Sequence, residues 1–456
     1  MKYEGSCLGF RAVIALLMLS TGISVAQDAT LDIGIARFDD LDGIGLDLQE
    51  TISAWTNEIF REYEYIDTGT IDRSFDTSES GGIEAVAAGA ELGFDLVYFG
   101  PFAEQDGAVK LGMISLTCTE GPSEYYMVEY IFKDSQAFGP GELNPGSVPP
   151  DRFRVLAGIT AAEWLHQNGR HQESVEVISS SLSGVGDVQD TLLVNAYMVL
   201  AEASTALGDD RAAIDAYTEA IALFPEEAWL WSARASRHDA VGDYANAIRN
   251  FQEALRLDPG NSFYMLQLGA QLKQAGRLEE ALEYMNMSIG GEPDNPMAYR
   301  DRSRAYYGLG DLEAALSDID TSLELEPASS QGHAMKGMIL WALDDVESAY
   351  ESFGTAVGLE DDPIVRSWSL MGMGNCLMSM EDWDSAIEYL NATLADNTRM
   401  HTAYFCLGRC YYELGRMEEA EACLNEFLSH PVIPDATDPW TRLHMKTEAQ
   451  EMLDSI

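Results

Sequence analysis

The chain has 456 residues and is strongly acidic, with 76 Asp and Glu residues against 27 Lys and Arg residues and a formal net charge of -49. Its length allows two or three domains, and its hydrophobic fraction of 46% supports a substantial core, which excludes a disordered chain. So negative a surface repels phosphate, which argues against binding nucleic acid or anionic lipid. Excess acid is typical both of adaptation to high salt and of a very soluble acidic protein, and both explanations stay open.

Residues 1–26 have the parts of an export signal. Lys2 and Arg11 flank a short basic start, an apolar run of about 15 residues follows, and the small residues Ser24 and Ala26 precede a cleavage site. The run is shorter than the roughly 20 residues that span a bilayer. We therefore predict export, to the bacterial periplasm or cell envelope or as a secreted protein, with cleavage after Ala26. An uncleaved N-terminal anchor is the alternative.

Residues 27–138 predict a small α/β domain. Apolar residues from Leu31 to Ile35 alternate with Asp32 and Gly34, as in a strand. The further predicted elements are, in chain order, a helix over 48–60, a strand over 63–67, a helix over 83–92 and strands over 95–100, 109–117 and 125–132. Residues 139–151 are rich in proline and predict a linker.

Two sequence segments of this region resemble a known family. They are the opening strand Ile33-Gly34-Ile35-Ala36-Arg37-Phe38 and the segment 89–100, where a helix ends in a small-residue turn before an apolar strand closed by Gly100. In both, the region is similar to the amino-terminal domain of TolB-like proteins and of the curli-secretion (CsgG) type. The resemblance implies an assembly or interaction module without catalytic residues.

From about residue 150 onward the sequence repeats with a period of 34 residues. Prolines mark the period at Pro225, Pro259, Pro293 and Pro327. An alanine stands twelve residues before each proline, and the series continues along the chain: Ala213, Ala247, Ala281, Ala315, Ala349, Ala386 and Ala420. A small residue stands twelve residues before each alanine, and a glycine lies between the two in most units. Because helices cross closely only where side chains are small, the pattern predicts repeated pairs of antiparallel helices.

This pattern resembles the tetratricopeptide repeat (TPR). Units begin near Val194, Ala228, Ser262, Pro296, Ser330, Ser367 and His401, and a weaker unit begins near Val155. In residues 435–456, one helical face carries Trp440, Leu443, Ala449 and Met452, as a capping helix requires. The predicted fold is therefore an α-solenoid of about eight TPR helix pairs over 152–434 with a C-terminal capping helix, preceded by the small α/β domain.

No sequence motif of a hydrolase, zinc peptidase or nucleotide-binding loop occurs, so we predict neither enzyme activity nor a cofactor. His166 and His171 are spaced by five, which does not place them on one helical face. We predict that they face solvent and hold no metal ion.

Five cysteines remain after the predicted cleavage, namely Cys118, Cys376, Cys406, Cys410 and Cys423. An odd number cannot all pair within one chain. Cys376 and Cys410 occupy the same position in successive repeats, where a small buried residue is usual, so we predict free thiols packed as small hydrophobic groups. A disulfide between neighbouring helices is the alternative.

The repeat resemblance implies a concave groove and indicates which positions line it. In this sequence they are Trp229, Phe263, Leu266, Met297, Arg300, Arg304, Tyr307, Met338, Trp341, Trp368, Met371, Asn375, Met378, Phe405, Arg409 and Tyr412. Aromatic residues and Arg are enriched at binding hot spots, so these positions predict a surface for a peptide or protein. Burial against neighbouring repeats is the alternative for the apolar residues, and ion pairs with Asp301 or Asp318 are the alternative for the arginines.

Repeats of the type that clamps chaperone carboxylates also require an Asn in the unit after Arg300 and Arg304, and Met335 stands there instead. A chaperone tail is therefore not the predicted partner. The predicted function is an exported, non-catalytic interaction scaffold that binds a peptide or protein in the groove. The alternative is a small-ligand sensor or an enzyme with its site in or next to the N-terminal domain.

Overall fold

The computed structural model divides into two units, Met1–Val241 and Gly242–Ile456. It describes residues 31–37, 39–40, 48–61, 63, 66–74, 96–99, 101–105, 108–111, 114–117, 136–138, 151–186, 188, 190–359, 362–397, 399–429 and 439–456. The predicted signal, the helix over 83–92, the strand over 125–132, most of the linker and Cys118 lie outside the described residues.

The first unit begins with strands and one helix. The strands are β1 (Leu31–Arg37), β2 (Asp39–Asp40), β3 (Ile66–Ser74), β4 (Leu96–Phe99), β5 (Pro101–Gln105), β6 (Ala108–Leu111), β7 (Ile114–Thr117) and β8 (Gln136–Phe138), and helix α1 (Leu48–Phe60) precedes β3. In one sheet, β1 pairs in parallel with β3 and with β4, and β7 pairs antiparallel with β4. Parallel neighbours need a crossover, and α1 supplies it between β1 and β3.

A second sheet has the order β2-β5-β6-β8. Its strand β6 pairs antiparallel with β5 and β8, whereas β7 belongs to the first sheet. The single strand predicted over 109–117 is therefore wrong, because its two halves bond to different neighbours. The strand predicted over 63–67 begins three residues later, at Ile66.

Sixteen helices follow within the described residues and form eight consecutive pairs in the sequence. The first helices of the pairs are α2 (Asp151–Gln167), α4 (Asp190–Ala206), α6 (Ala228–Ala240), α8 (Ser262–Gln274), α10 (Pro296–Leu309), α12 (Ser330–Ala342), α14 (Pro363–Ser379) and α16 (His401–Glu413). The second helices are α3 (His171–Leu182), α5 (Asp210–Leu223), α7 (Tyr244–Leu257), α9 (Leu278–Gly291), α11 (Leu312–Leu325), α13 (Val346–Leu359), α15 (Trp383–Asp396) and α17 (Met417–Ser429).

Where both helices of a pair belong to one unit, they cross at the predicted small residues. In the second unit, Ser303 on α10 donates a hydrogen bond to the carbonyl oxygen of Ala315 on α11, at 2.7 Å. A Cβ added at Gly408 on α16 would lie 2.7 Å from the side chain of Leu424 on α17. The predicted alanines of the second helices, including Ala315 and Ala420, are fully buried. The close helix crossings predicted from the 34-residue period are therefore confirmed.

Five first helices begin where the period predicts, whereas α2, α4 and α14 begin four residues earlier, at Asp151, Asp190 and Pro363. For α14 the reason is a helix cap, because the Asp362 side chain accepts hydrogen bonds from the backbone amides of Ile364 and Val365. Proline at the first helical position adds to this signal, since its missing amide hydrogen is not needed there.

In the first unit, strand and helix residues share one apolar core. Leu31, Ile33 and Ile66 of the strands are buried in the same cluster as Phe153 and Leu156 of α2. The Tyr63 hydroxyl also donates to the carbonyl oxygen of Glu176 on α3, at 3.5 Å. The sheet that contains β1 and β3 is thus packed against the first helix pair.

In the second unit, a last helix, α18 (Pro439–Ser455), covers the end of the helix pairs. Ala449 is fully buried and Met452 packs against the core that contains Leu424 and Phe427 of α17. The side chains of Trp440 and Leu443 lie outside the described part. Among the described helices, none is both long and apolar enough to cross a membrane.

Candidate groove on the first helices

Five of the predicted groove residues expose large apolar side chains in the second unit. The first helices α8, α10, α12, α14 and α16 contact one another in that order. The five residues lie on the first four of these helices and are between 38% and 51% exposed: Phe263, Met297, Met338, Trp341 and Trp368. We call these five residues the apolar row.

A cluster of three cations lies on the same helices, around one carboxylate. The side chain of Asp301 on α10 accepts a bond of 2.9 Å from Lys273 Nζ on α8 and one of 3.3 Å from Arg304. Burial raises the pKa of Asp301, but the charge and hydrogen bond of Lys273, together with the two nearby arginines, outweigh it and hold the pKa below its usual value. Asp301 is therefore ionised and binds both cations.

Arg300 is the third cation of this cluster, and one of its nitrogen atoms has no hydrogen bond partner. Its guanidinium donates to the Ser329 hydroxyl at 3.3 Å and lies 3.7 Å from the exposed carboxylate of Glu326. Its Nε atom is buried and makes no hydrogen bond. Burial, and secondarily the charge of Arg304, lower the pKa of Arg300. Arg304, whose side chain is 37% exposed, is the cation of this cluster that a negatively charged hydrogen bond acceptor can reach.

Family models match the helical pairs. Two models described as tetratricopeptide repeat match residues 268–340 and residues 198–262 and 232–296. The chain contains tetratricopeptide repeats. A model described as anaphase-promoting complex, cyclosome, subunit 3 matches residues 367–427. No family match covers residues 27–138, so the resemblance to TolB-like and CsgG-type domains, and the separate α/β domain, stay predictions.

Solved structures of other repeat proteins are similar to the chain. The APC/C hetero-tetramer Cut9–Hcn1 is 16% identical with a TM-score of 0.47, over 65% of this chain and 55% of that one. A tetratricopeptide repeat protein from Parabacteroides merdae is 14% identical with a TM-score of 0.47, over 57% and 99%. Yeast Tom70 is 16% identical with a TM-score of 0.45, over 67% and 64%. No curated protein matches the chain significantly. Similarities this low do not bear on function.

The last helix pair contacts the C-terminal helix α18. Arg409 lies 3.8 Å from the Glu448 carboxylate, and the Tyr412 and Ser455 hydroxyls are 2.9 Å apart. Both predicted groove residues therefore contact α18. Met371, one repeat earlier, accepts a hydrogen bond from Thr402 through its sulfur, at 3.2 Å.

The remaining predicted groove residues are covered to different degrees. Leu266 and Phe405 are buried, because neighbouring helices pack on them. Tyr307, Asn375 and Met378 are half-buried. Trp229 belongs to the first unit, where it packs beside Leu230 and Ile221.

Sequence reasoning found Arg300 and Arg304 but missed Lys273. The ion pair of Arg304 with Asp301 was one of the two expected alternatives, whereas Asp318 binds Arg302 instead, with two contacts of 2.7 Å. Lys273 stands at the twelfth position of its repeat, a groove position, and faces the next first helix. A basic residue at a groove position was therefore the sequence signal that could have identified Lys273.

The described cysteines are free, and burial makes them poor nucleophiles. Cys376, Cys406 and Cys410 are buried and Cys423 is partly buried. Burial raises the pKa of Cys376 to about 11 and that of Cys410 to about 12, so both stay protonated at neutral pH. Free thiols, as predicted, fill these positions. Among the described residues, no group of three or more His, Cys, Asp or Glu residues could hold a metal ion.

Proposed function

We propose that this protein is an exported, non-catalytic scaffold that binds a peptide or protein partner on the first helices of its second unit. The observation that carries the proposal is the cluster of Lys273, Arg300 and Arg304 around Asp301 beside the apolar row. TPR proteins are generally non-catalytic and bind proteins or peptides. Export rests on residues 1–26.

The apolar row supports a binding surface because its five exposed aromatic and methionine side chains lie on four adjacent first helices. Exposed apolar patches of this kind usually mark partner sites. Trp and Arg are the residue types that most often dominate binding energy. Trp341 and Arg304 lie on neighbouring first helices, α12 and α10, and both are more than a third exposed.

The distribution of charge favours an acidic partner on this surface. Helices α8, α10, α12, α14 and α16 carry seven Lys and Arg residues and only two acids, Asp301 and Glu413. The second helices α9, α11, α13, α15 and α17 carry acidic residues and no Lys or Arg. An acidic segment with apolar side chains is therefore attracted to the first helices and repelled by the second helices.

The test starts in cells that express the full chain with its own residues 1–26. A photo-crosslinking amino acid replaces Trp341, and a matched variant carries it at exposed Glu351 on α13. We expect a covalent partner in the envelope fraction from position 341 and none from position 351. Protein found only in the cytosol contradicts the export part of the proposal, and equal crosslinking from both positions contradicts the surface.

Once the partner is identified, its affinity can be measured for a variant with Arg304→Ala and Trp341→Ala. This variant should keep its fold and lose at least about 2 kcal/mol of binding free energy, as is typical of hot-spot residues. Binding should also weaken with added salt. The control is Arg256→Ala with Met287→Ala, an exposed Arg and an exposed Met on second helices α7 and α9. Unchanged affinity in a well-folded Arg304 and Trp341 variant would remove this surface from consideration.

A further inference from the structure

Two histidines meet at the turn between α2 and α3 in the first unit. The Nδ1 atoms of His166 and His171 are 3.1 Å apart, and the ring centroids are 4.8 Å apart with 54° between the ring planes. Both rings are half-buried and contact each other, so the prediction that they face solvent is only partly right. Gly169 has a left-handed backbone with φ 75, which reverses the chain so that residues five apart face each other.

We propose that His166 and His171 bind a divalent transition-metal ion, such as Zn²⁺, through their Nδ1 atoms. Imidazole nitrogens bind Zn²⁺ at about 2.0–2.1 Å, which places two nitrogens of a tetrahedral site about 3.3 Å apart. The two Nδ1 atoms are already at nearly that separation. The ion therefore needs the two nitrogens to move apart by a few tenths of an ångström and the rings to rotate until both lone pairs point at it.

The chemistry of the pair fits this role. In the metal-free pair one Nδ1 donates its hydrogen to the other, so one ring carries its proton at Nδ1. Metal binding requires both Nδ1 lone pairs, and both rings then carry their proton at Nε2.

The proposed site uses the two histidines as its protein ligands, because neighbouring polar side chains are engaged in other contacts. Arg170 forms an ion pair of 3.3 Å with Glu173, and the Asn168 amide donates to the carbonyl oxygen of Trp164 at 2.8 Å. Water would fill the remaining positions, and with two protein ligands the site should bind Zn²⁺ more weakly than the three- and four-ligand sites that are usual for this ion. A bound ion would join the end of α2 to the start of α3 and stabilise the folded first unit by mass action.

The test is a Zn²⁺ titration of untagged full-length protein by calorimetry, with unfolding temperature as a second readout. We expect one site whose affinity falls at least tenfold in His166→Gln and in His171→Gln. The matched control is His333→Gln, which removes another histidine with a single hydrogen bond, from its Nε2 to the carbonyl oxygen of Pro327 at 3.0 Å. This control should bind Zn²⁺ like the unchanged protein.

A second measurement keeps the proposal testable if the variants fold poorly. Diethyl pyrocarbonate modifies accessible imidazoles, and Zn²⁺ should protect His166 and His171 of the unchanged protein, but not His333, as mapped by mass spectrometry. Absence of Zn²⁺ binding, or binding that persists in both histidine variants without protection of the pair, would overturn the proposal.

Discussion

The turn that ends each first helix requires one residue in the left-handed conformation, and two repeats provide it without glycine. Gly310 has φ 80 in this turn, whereas Asp344 has φ 66 and Glu381 has φ 60 in later repeats. A side chain in this conformation contacts its own backbone and costs about 1–2 kcal/mol relative to glycine. The two acidic residues therefore strain their turns.

Replacement of either residue by glycine should stabilise the second unit. We expect Asp344→Gly and Glu381→Gly each to raise the free energy of unfolding by about 0.5–1 kcal/mol, because relief of strain exceeds the extra flexibility that glycine gives the unfolded chain. Urea unfolding followed by circular dichroism measures the change.

Gly310→Ala provides the matched control and should lower the free energy of unfolding by about 1 kcal/mol, since it creates the same strain. The space at Gly310 is open, so no side-chain clash adds to this loss. Destabilisation by Asp344→Gly would show that the turn is not strained.

At the residue scale, the sequence predicts the features that depend on local backbone conformation. It does not predict contacts between residues that are far apart in the sequence or that a turn brings face to face. The turn glycines are recognisable because φ above zero favours glycine. The contact of His166 with His171 was missed because helical spacing was assumed across Gly169. Lys273 and Asp301 are 28 residues apart, and only the packing of α8 on α10 brings them together.

At the scale of elements, the ring of Phe353 on α13 lies between two glycines. A Cβ added at Gly337 on α12 would lie 2.8 Å from the ring, and one added at Gly372 on α14 would lie 2.7 Å from it. The backbones of the two flanking first helices therefore approach the ring closely. This explains why one residue on each helix must lack a side chain.

We expect Gly372→Ala to lower the free energy of unfolding by about 1–3 kcal/mol, because the interior is close-packed and cannot absorb an added methyl group there. In a Phe353→Leu background the same substitution should cost less, since the smaller side chain leaves room. A double-mutant cycle by urea unfolding measures the coupling.

The control for this cycle is Gly358→Ala on the same helix as Phe353, where an added Cβ meets no neighbour. It should raise the free energy of unfolding by up to about 1 kcal/mol through helix propensity. Equal costs of Gly372→Ala in both backgrounds would contradict the packing account of the two glycines.

The sequence predicts these helix pairs better than it predicts the strands. A helix pair closes within one 34-residue unit, so the period carries its register, and caps such as Asp362 adjust only the ends. A strand bonds to partners chosen by the whole sheet, and β6 and β7 show the consequence, because two adjacent segments join different sheets.

At the scale of the whole molecule, the net charge of -49 sets the response to salt. Like charges repel in the folded chain more than in the expanded unfolded chain, and the Debye length falls from about 10 Å at 0.1 M salt to about 3 Å at 1 M. Screening should therefore favour folding.

Exposed ion pairs such as Arg277 with Glu280 and Arg416 with Glu419 work against this effect, because salt weakens them. Each contributes only about 0–1 kcal/mol, and many more carboxylates than cations are exposed.

We therefore expect the unfolding temperature to rise between 0.05 M and 2 M KCl, measured by calorimetry. A variant with Glu418, Glu421 and Glu426 of α17 changed to Gln should show a smaller rise. A flat or falling temperature in the unchanged protein would exclude self-repulsion as a main term in its stability and leave high solubility as the remaining explanation of the acidic composition.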